Sequence, residues 1–289
     1  KVRPMSTSFF ELCNTIQQIR ETRGTNAKIT ILTDFLSHLD TAEDLELATQ
    51  FIGEGAFSAI SGKRASVGSR TAGLAASEFC EIDYDKVYKP CRTATGSNSE
   101  AIERLLKNIP EAVEKREPVN LSLQEVSELF DELLEVSSRV DKIELLQKIW
   151  RKMHPVEVKY FIRMLGQGSL RIGFETKSVI ASIAKAFGYK KESVRYAHMI
   201  TGSIGKTALL AMDERLDEAE FKLFHPLSFM LASPIESRSV DTLSDYIAEE
   251  KFDGMRAQVH HSEQKVEIYS RDLNEVTRSF PEIQTFFKE

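Results

Sequence analysis

The clearest periodicity in the chain begins at Ser122. Leu123, Val126, Leu129, Phe130, Leu133 and Leu134 recur at three- and four-residue spacing, the repeat of one face of an α-helix. Ser122 and Glu125 stand ahead of this stripe in the Ser-x-x-Glu order of a capping box, which satisfies two amides of a helix start. A second stripe, Leu146, Ile149, Trp150 and Met153, predicts a helix that ends near His154. Pro155 then opens the next helix, at a position that needs no amide donor. Trp150 and the nearby phenylalanines fall on these stripes, so they are expected in the core rather than stacked on bases. Helical patterns of this kind run through the first ~220 residues.

The texture changes after Phe221. The stretch "LFHPLSFMLASPIES" carries Pro226 and Pro234 and no long stripe, which predicts a crossing between domains. Beyond it, "YIAEEKF", "MRAQVHH" and "KVEIYSR" alternate or carry β-branched and aromatic residues, as strands do. Asp253-Gly254 is the expected tight turn between the first two, and "HSEQK" the next hairpin loop. The expected fold is mainly α: an all-helical domain over residues 1–222, a linker over 223–233, and the first antiparallel β-strands of an α+β domain over 234–289.

Two stretches of the helical region resemble each other. "VGSRTAGLAASEF" followed by "VYKPCRTATGSNSEAIERLL" aligns with "IGFETKSVIASIAKAF" followed by "VRYAHMITGSIGKTALL". Gly68 pairs with Gly173, Val87 with Val194 and Gly96 with Gly202, at offsets of 105 to 107. A Gly-x-Gly also precedes each copy, Gly53-Glu-Gly55 and Gly166-Gln-Gly168, at an offset of 113. These spacings predict a duplication with pseudo-twofold symmetry, its halves spanning about 53–106 and 166–210. In each half a glycine turn feeds a helix start, where free amides and the positive end of the helix dipole suit an anion. The candidate phosphate contacts are Gly68, Arg70, Thr71 and Gly96 in the first half, and Arg171, Gly173, Thr176, Thr201, Gly202 and Lys206 in the second. Two such halves suit the two sides of a duplex, touching backbone rather than reading bases. The alternative is that the glycines only end helices and the repeat is structural. "GSIGKT" at 202–207 imitates the end of a phosphate-binding P-loop, but Ile200 stands where its first glycine is required and the context is helical.

Composition and charge narrow the reading. With 289 residues, 42% of them apolar, the chain can bury cores for about two domains. No run approaches the ~20 apolar residues of a membrane span, and the opening "KVRPMSTSFFEL" lacks a secretory apolar stretch, so a cytoplasmic monomer with no membrane partner is expected. Cys13, Cys80 and Cys91 are odd in number and form no CxxC pair, which predicts neither disulfides nor a zinc site. The net charge of −6 conceals a segregation: residues 148–195 carry +8 and residues 96–147 carry −6. A basic zone beside an acidic one fits a protein that offers a single face to a polyanion.

The chemistry concentrates in "EEKFDGMR". Strand alternation would put Glu249 and Lys251 on one face and Glu250 on the other, with Arg256 and Arg271 converging from the following strands. An amine attacks only when neutral, which desolvation or nearby positive charge promotes. Guanidinium groups would also stabilise charge developing on a phosphorus centre. Gly254 allows a close backbone turn. A solvated charged hairpin is the bland alternative. The order K-x-D-G-x-R fixes four positions, and a chance match in a chain of this length is on the order of a few in a thousand.

"EEKFDGMR" resembles the nucleotidyltransferase signature of ATP-dependent DNA ligases, RNA ligases and mRNA capping enzymes, and "YSRDLNEVTRSFPE" resembles the next element of the DNA ligases. "IRMLGQGSLRIGFET", "TGSIGKTALL" and "HPLSFMLASP" resemble the N-terminal DNA-binding domain of archaeal and bacterial ATP-dependent DNA ligases. The resemblance implies that the α+β region opens a nucleotidyltransferase domain and that Lys251 attacks the α-phosphate of ATP and carries AMP. By the same resemblance Glu249 accepts from the adenine amino group, while Arg256 and Arg271 hold ribose, phosphate or the nicked strand. AMP would pass to the 5′-phosphate of nicked double-stranded DNA, with Mg²⁺ required. Two departures stand out. Ser203 occupies an expected acidic position, and the sequence ends at Glu289, ahead of the family's later nucleotide-binding strands, metal-binding glutamates and OB-fold, so this length of chain is not expected to seal nicks alone. The rival readings are an RNA ligase or capping-type transferase, against which the long helical domain speaks, and a non-catalytic DNA-binding module with an inert transferase remnant.

Overall fold

A computed structural model describes residues 6–65, 67–166, 170–227, 247, 249–263, 265–271 and 273–287. The chain divides into two compact units, residues 1–219 and 220–289.

The first unit is helical. In chain order it contains α1 (Phe9–Glu21), α2 (Thr25–Ser37), α3 (Ala42–Gly53), α4 (Ser69–Phe79), a π-helical turn (Tyr84–Tyr88), α5 (Lys89–Thr95), α6 (Asn98–Asn108), α7 (Pro110–Glu114) and α8 (Leu123–Glu135). There follow α9 (Arg139–Arg151), α10 (Pro155–Leu165), α11 (Thr176–Ala186), α12 (Lys191–Thr201), α13 (Ile204–Met212) and a 3₁₀ turn (Leu216–Glu218). The expected start signals hold. Ser122 and Glu125 form both halves of the capping box, with the Ser122 amide donating to the Glu125 carboxylate at 2.7 Å. Pro155 occupies the first turn of α10, and the His154 amide donates to Glu157 Oε2 at 2.7 Å.

The helix pairing explains the repeat. From the first copy, α4 packs on α9 and α6 on α10; from the second, α11 packs on α2 and α13 on α3. Each copy therefore begins with a helix pair, α2–α3 or α9–α10, and lays its later helices on the other copy's pair. Such reciprocal pairing is what two halves related by a pseudo-twofold axis would show. The copies differ between their first and second later helices. The first inserts the π-helical turn, seated against Gly73, where a Cβ would come within 2.5 Å of the Tyr88 ring.

One continuous apolar core fills this unit. Phe130 stacks on Phe161 with centroids 4.5 Å apart and meets Phe51 edge-on at 5.5 Å, while Trp150 is fully buried beside Phe79. The striped aromatics are thus core, as their spacing predicts. Several polar side chains inside are paired across helices. Lys159, 1% exposed, donates to Gln17 and Glu103 at 2.8 Å each, tying α10 to α1 and α6. Burial pushes the Cys13 thiol well above its ordinary range and the Cys80 thiol up to about 12, so both behave as unreactive core groups.

The second unit holds an antiparallel hairpin, β1 (Ala257–Ser262) and β2 (Lys265–Ser270), in the register Ala257↔Ser270 to Ser262↔Lys265. A 3₁₀ turn (Thr277–Ser279) and α14 (Pro281–Phe286) follow. Residues 223–227, within the expected crossing, lie along this hairpin: the Phe224 amide donates to His260 Nδ1 at 2.9 Å and the Leu227 amide to Gln258 Oε1 at 3.0 Å. Residues 228–246 lie outside the described residues. One expectation fails. Residues 249–256 take no regular structure, so the described part of "YIAEEKF" forms no strand, and Asp253-Gly254 does not join two strands. Ile247 and Phe252 are 90% and 85% exposed. Without a buried face nothing fixes the pairing register of such a segment.

Candidate functional site

The two Thr-Gly-Ser turns of the repeat are built alike. Gly96 ends α5 at φ 66°, ψ 6°, and Gly202 ends α12 at φ 64°, ψ 7°, left-handed conformations that favour glycine. The hydroxyl of the preceding threonine closes each turn: Thr95 Oγ1 donates to the Ser97 carbonyl at 3.1 Å, and Thr201 Oγ1 to the Ser203 carbonyl at 3.1 Å. Helices α6 and α13 start immediately afterwards. Both glycines therefore do end helices, and each also aims a following helix N-terminus.

The two N-termini are not alike. At α13 the Ile204 amide donates to Glu54 Oε1 at 2.6 Å, and Glu54 Oε2 also accepts from the Ala59 amide at 3.2 Å. A carboxylate of the protein itself thus sits where a phosphate was expected. Burial pushes the Glu54 carboxyl above its usual range, and the two amides partly offset the shift. The start of α6 has no side-chain cap from Ser97. It borders a cleft of about 230 Å³, walled by Ser69, Ser97, Asn98, Gly166 and Arg171, with the buried Arg163 also lining it. Arg163 is held there by Ser99 Oγ at 2.9 Å, the Leu170 carbonyl at 2.8 Å and the Glu100 carboxylate.

The candidate phosphate contacts distribute accordingly. Gly68 is the N-cap of α4 at φ −69°; Arg70 is exposed on the first turn and Thr71 is buried. The Gly68 and Gly96 turns meet at the cleft through their neighbours Ser69 and Ser97, and Arg171 joins them. Arg171 and Gly173 both take positive φ, 56° and 61°, and both are exposed, alternating with the buried Leu170, Ile172 and Phe174. Lys28 Nζ donates to the Ile172 carbonyl at 2.6 Å, securing that loop. Thr176 opens α11 and donates to the Gly53 carbonyl at 3.4 Å. Thr201 is half-buried and hydrogen-bonded to Thr207 at 2.8 Å, Gly202 is buried, and Lys206 is exposed. The P-loop likeness is a packing device: a Cβ on Gly205 would lie 2.9 Å from Glu46 Cγ and 3.0 Å from its carbonyl, and Thr207 donates to the Ser203 carbonyl at 2.7 Å. Ser203, in the expected acidic position, caps α13 through Oγ, which accepts from the Lys206 amide at 3.4 Å. Sequence alone did not single out Glu54, Asn98 or Arg163 as parts of these turns. Glu54 stands inside the quoted Gly-x-Gly, but its partner is 150 residues away.

In the second unit Glu249, Lys251, Arg256 and Arg271 are all exposed. The hairpin register does bring two of them to one end: Arg256 directly precedes Ala257, whose partner Ser270 directly precedes Arg271. Glu249 and Lys251 lie in the irregular stretch, so no strand sets the face they share. The donor set suits a nucleotide, with one amine, one carboxylate acceptor and two guanidinium groups. Among the described residues no cluster of three or more His, Cys, Asp or Glu could hold a metal ion. Also among the described residues, no helix is long and apolar enough to cross a membrane.

A family profile described as "DNA ligase N terminus" matches residues 8–184, and one described as "ATP dependent DNA ligase domain" matches residues 229–289. The chain belongs to the ATP-dependent DNA ligase family. It is 32% identical to a probable DNA ligase of Koribacter versatilis, over 94% of this chain and 46% of that protein. It is likewise 32% identical to a DNA ligase of Methanothrix thermoacetophila, over 96% of this chain and 50% of the relative, and 31% identical to DNA ligase 2 of Methanosarcina acetivorans, over 95% and 50%. The chain spans about half the length of these curated relatives.

Proposed function

We propose that the chain is the DNA-binding and nucleophile-bearing portion of an enzyme that seals nicks in duplex DNA at the expense of ATP. The observation that carries this reading is the K-x-D-G-x-R order at Lys251–Arg256, within the segment matched by the ligase profile and downstream of a duplicated helical unit. Lys251 Nζ forms a bond to the α-phosphorus of ATP, the bond from that phosphorus to the β-phosphate oxygen breaks, and pyrophosphate leaves as the amine loses its proton. Glu249 accepts from the adenine amino group, and Arg256 and Arg271, at one end of the hairpin, hold phosphate. AMP then passes to a 5′-phosphate at the nick, and the 3′-hydroxyl displaces it. Mg²⁺, when bound, neutralises phosphate charge during these transfers.

Lys251 is exposed, so the nucleophile gains the dry surroundings its neutral form needs only when more of a nucleotide pocket closes over it. The helical unit would clamp the duplex through backbone phosphates at the α4 and α6 starts and Arg171. The intact protein is expected to join a 5′-phosphate to a 3′-hydroxyl in nicked duplex DNA and to leave nicked RNA duplexes and 5′-triphosphate RNA unchanged. Preferential joining of RNA, or nucleotide transfer to 5′-triphosphate ends, would replace this reading with the RNA ligase or capping alternative. Binding of nicked DNA with no ATP-dependent joining would favour the inert module.

A further inference from the structure

The end of α8 and the start of α9 form a groove that a duplex would avoid. Its floor is Val136 and Leu145, and its rim carries Glu132, Glu135, Asp141 and Glu144, with Lys148 at one end. Val140, in the first turn of α9, is 64% exposed nearby. Among the described residues none of the four rim carboxylates is ion-paired.

Two of these acids are placed unfavourably for the helix that bears them. Glu132 and Glu135 occupy the last turn of α8, which contains no basic residue, so they add negative charge to the negative end of the helix dipole. Cations belong at that position. The groove also lies in the zone of residues 96–147, net −6, and phosphate would be repelled from it. Two apolar side chains beneath a ring of unpaired carboxylates match the apolar stripe of a helix flanked by lysine or arginine.

We propose that this groove docks a basic amphipathic helix of a partner protein, while the duplex is held at the α4 and α6 starts. The partner's cations would answer both the rim and the α8 dipole, and its two apolar anchors, one helical turn apart, would cover Val136 and Leu145. This site stands independently of the ligase reading, because none of its residues belongs to the nucleotide segment or to the phosphate cleft.

A labelled helical peptide with two leucines at i and i+4 and flanking lysines is the probe, read by fluorescence anisotropy against the whole chain. It should bind, and a same-composition peptide with the leucines dispersed should bind at least tenfold more weakly. Charge reversal in Glu132→Lys/Glu144→Lys should weaken the first peptide at least tenfold and leave duplex binding unchanged. Val136→Ser, which alters no charge, should weaken the leucine-paired peptide selectively and so serves if the double variant fails to fold. Equal binding of both peptides, undiminished binding to the variants, displacement of the peptide by duplex DNA, or concentration-dependent self-association lost in the charge-reversal variant would overturn the proposal.

Discussion

Glu157 shows what a buried carboxyl does to the pH dependence of this fold. It is fully buried in α10; Oε2 accepts from the His154 amide, whereas Oε1 has no partner among the described residues. Burial raises its pKa to about 7 from an ordinary 4.5, with the His154 amide pulling the other way. The folded state therefore retains a proton that the unfolded chain releases between those two values. This group's contribution is most favourable below the unfolded value and is lost as pH rises toward 7. Glu157→Gln, which keeps an acceptor without the charge, should remove that component. Urea melts from pH 5 to 8 should show the variant gaining on the parent with rising pH, by on the order of 2 kcal/mol at the top of the range. Parallel curves for the two proteins would show that Glu157 is solvated. A single residue of this kind is illegible in sequence, where Glu157 reads only as one of the few acids in the basic zone of residues 148–195.

At the scale of elements, the repeat was visible but its geometry was not. The matching glycines at 96 and 202 reported the left-handed turns correctly, since only a special backbone conformation makes glycine preferable there. The exchange of α4 and α6 onto α9–α10, and of α11 and α13 onto α2–α3, depends on contacts about a hundred residues apart, which local periodicity cannot encode. The same distance hid Glu54. With its carboxylate on the α13 amide, the two helix starts are unequal: the α13 start has a partner within the chain, and the α6 start opens on the cleft with Arg171. Arg171→Ala should weaken duplex binding uniformly across sequences and lower the slope of log K against log salt by about one. Thr201→Ala should instead lower the melting temperature with little change in affinity, because its hydroxyl is spent on Thr207 and the Ser203 carbonyl. Anisotropy titrations at several salt concentrations, paired with thermal melts, decide both. The hairpin was legible to within two residues at its ends, because β1 and β2 bury one face. The strand expected from "YIAEEKF" is absent over residues 249–252, and Ile247 and Phe252 stand in solvent, so alternation without a buried face does not make a strand.

At the scale of the whole molecule, charge segregation and the two family profiles point the same way. A basic zone of +8 in residues 148–195 lies in the unit matched by the ligase N-terminal profile, so binding should be electrostatic and indifferent to sequence. Affinity for duplex DNA should fall by at least tenfold between 50 and 200 mM salt, as expected when several phosphates are neutralised, and scrambling the duplex sequence should leave it unchanged. Salt-insensitive or sequence-selective binding would contradict a phosphate clamp. The proposed nucleophile lies in the other unit, and its assignment rests on residue order, since Lys251 stands exposed in an irregular segment.

That assignment is tested most directly by incubating the intact protein with ATP labelled at the α-phosphate and mapping the covalent product by peptide mass spectrometry. One acid-labile AMP adduct is predicted on the peptide containing Lys251, released on addition of pyrophosphate and abolished in Lys251→Ala. An adduct that persists in that variant, or no adduct on the intact protein, would contradict the assignment.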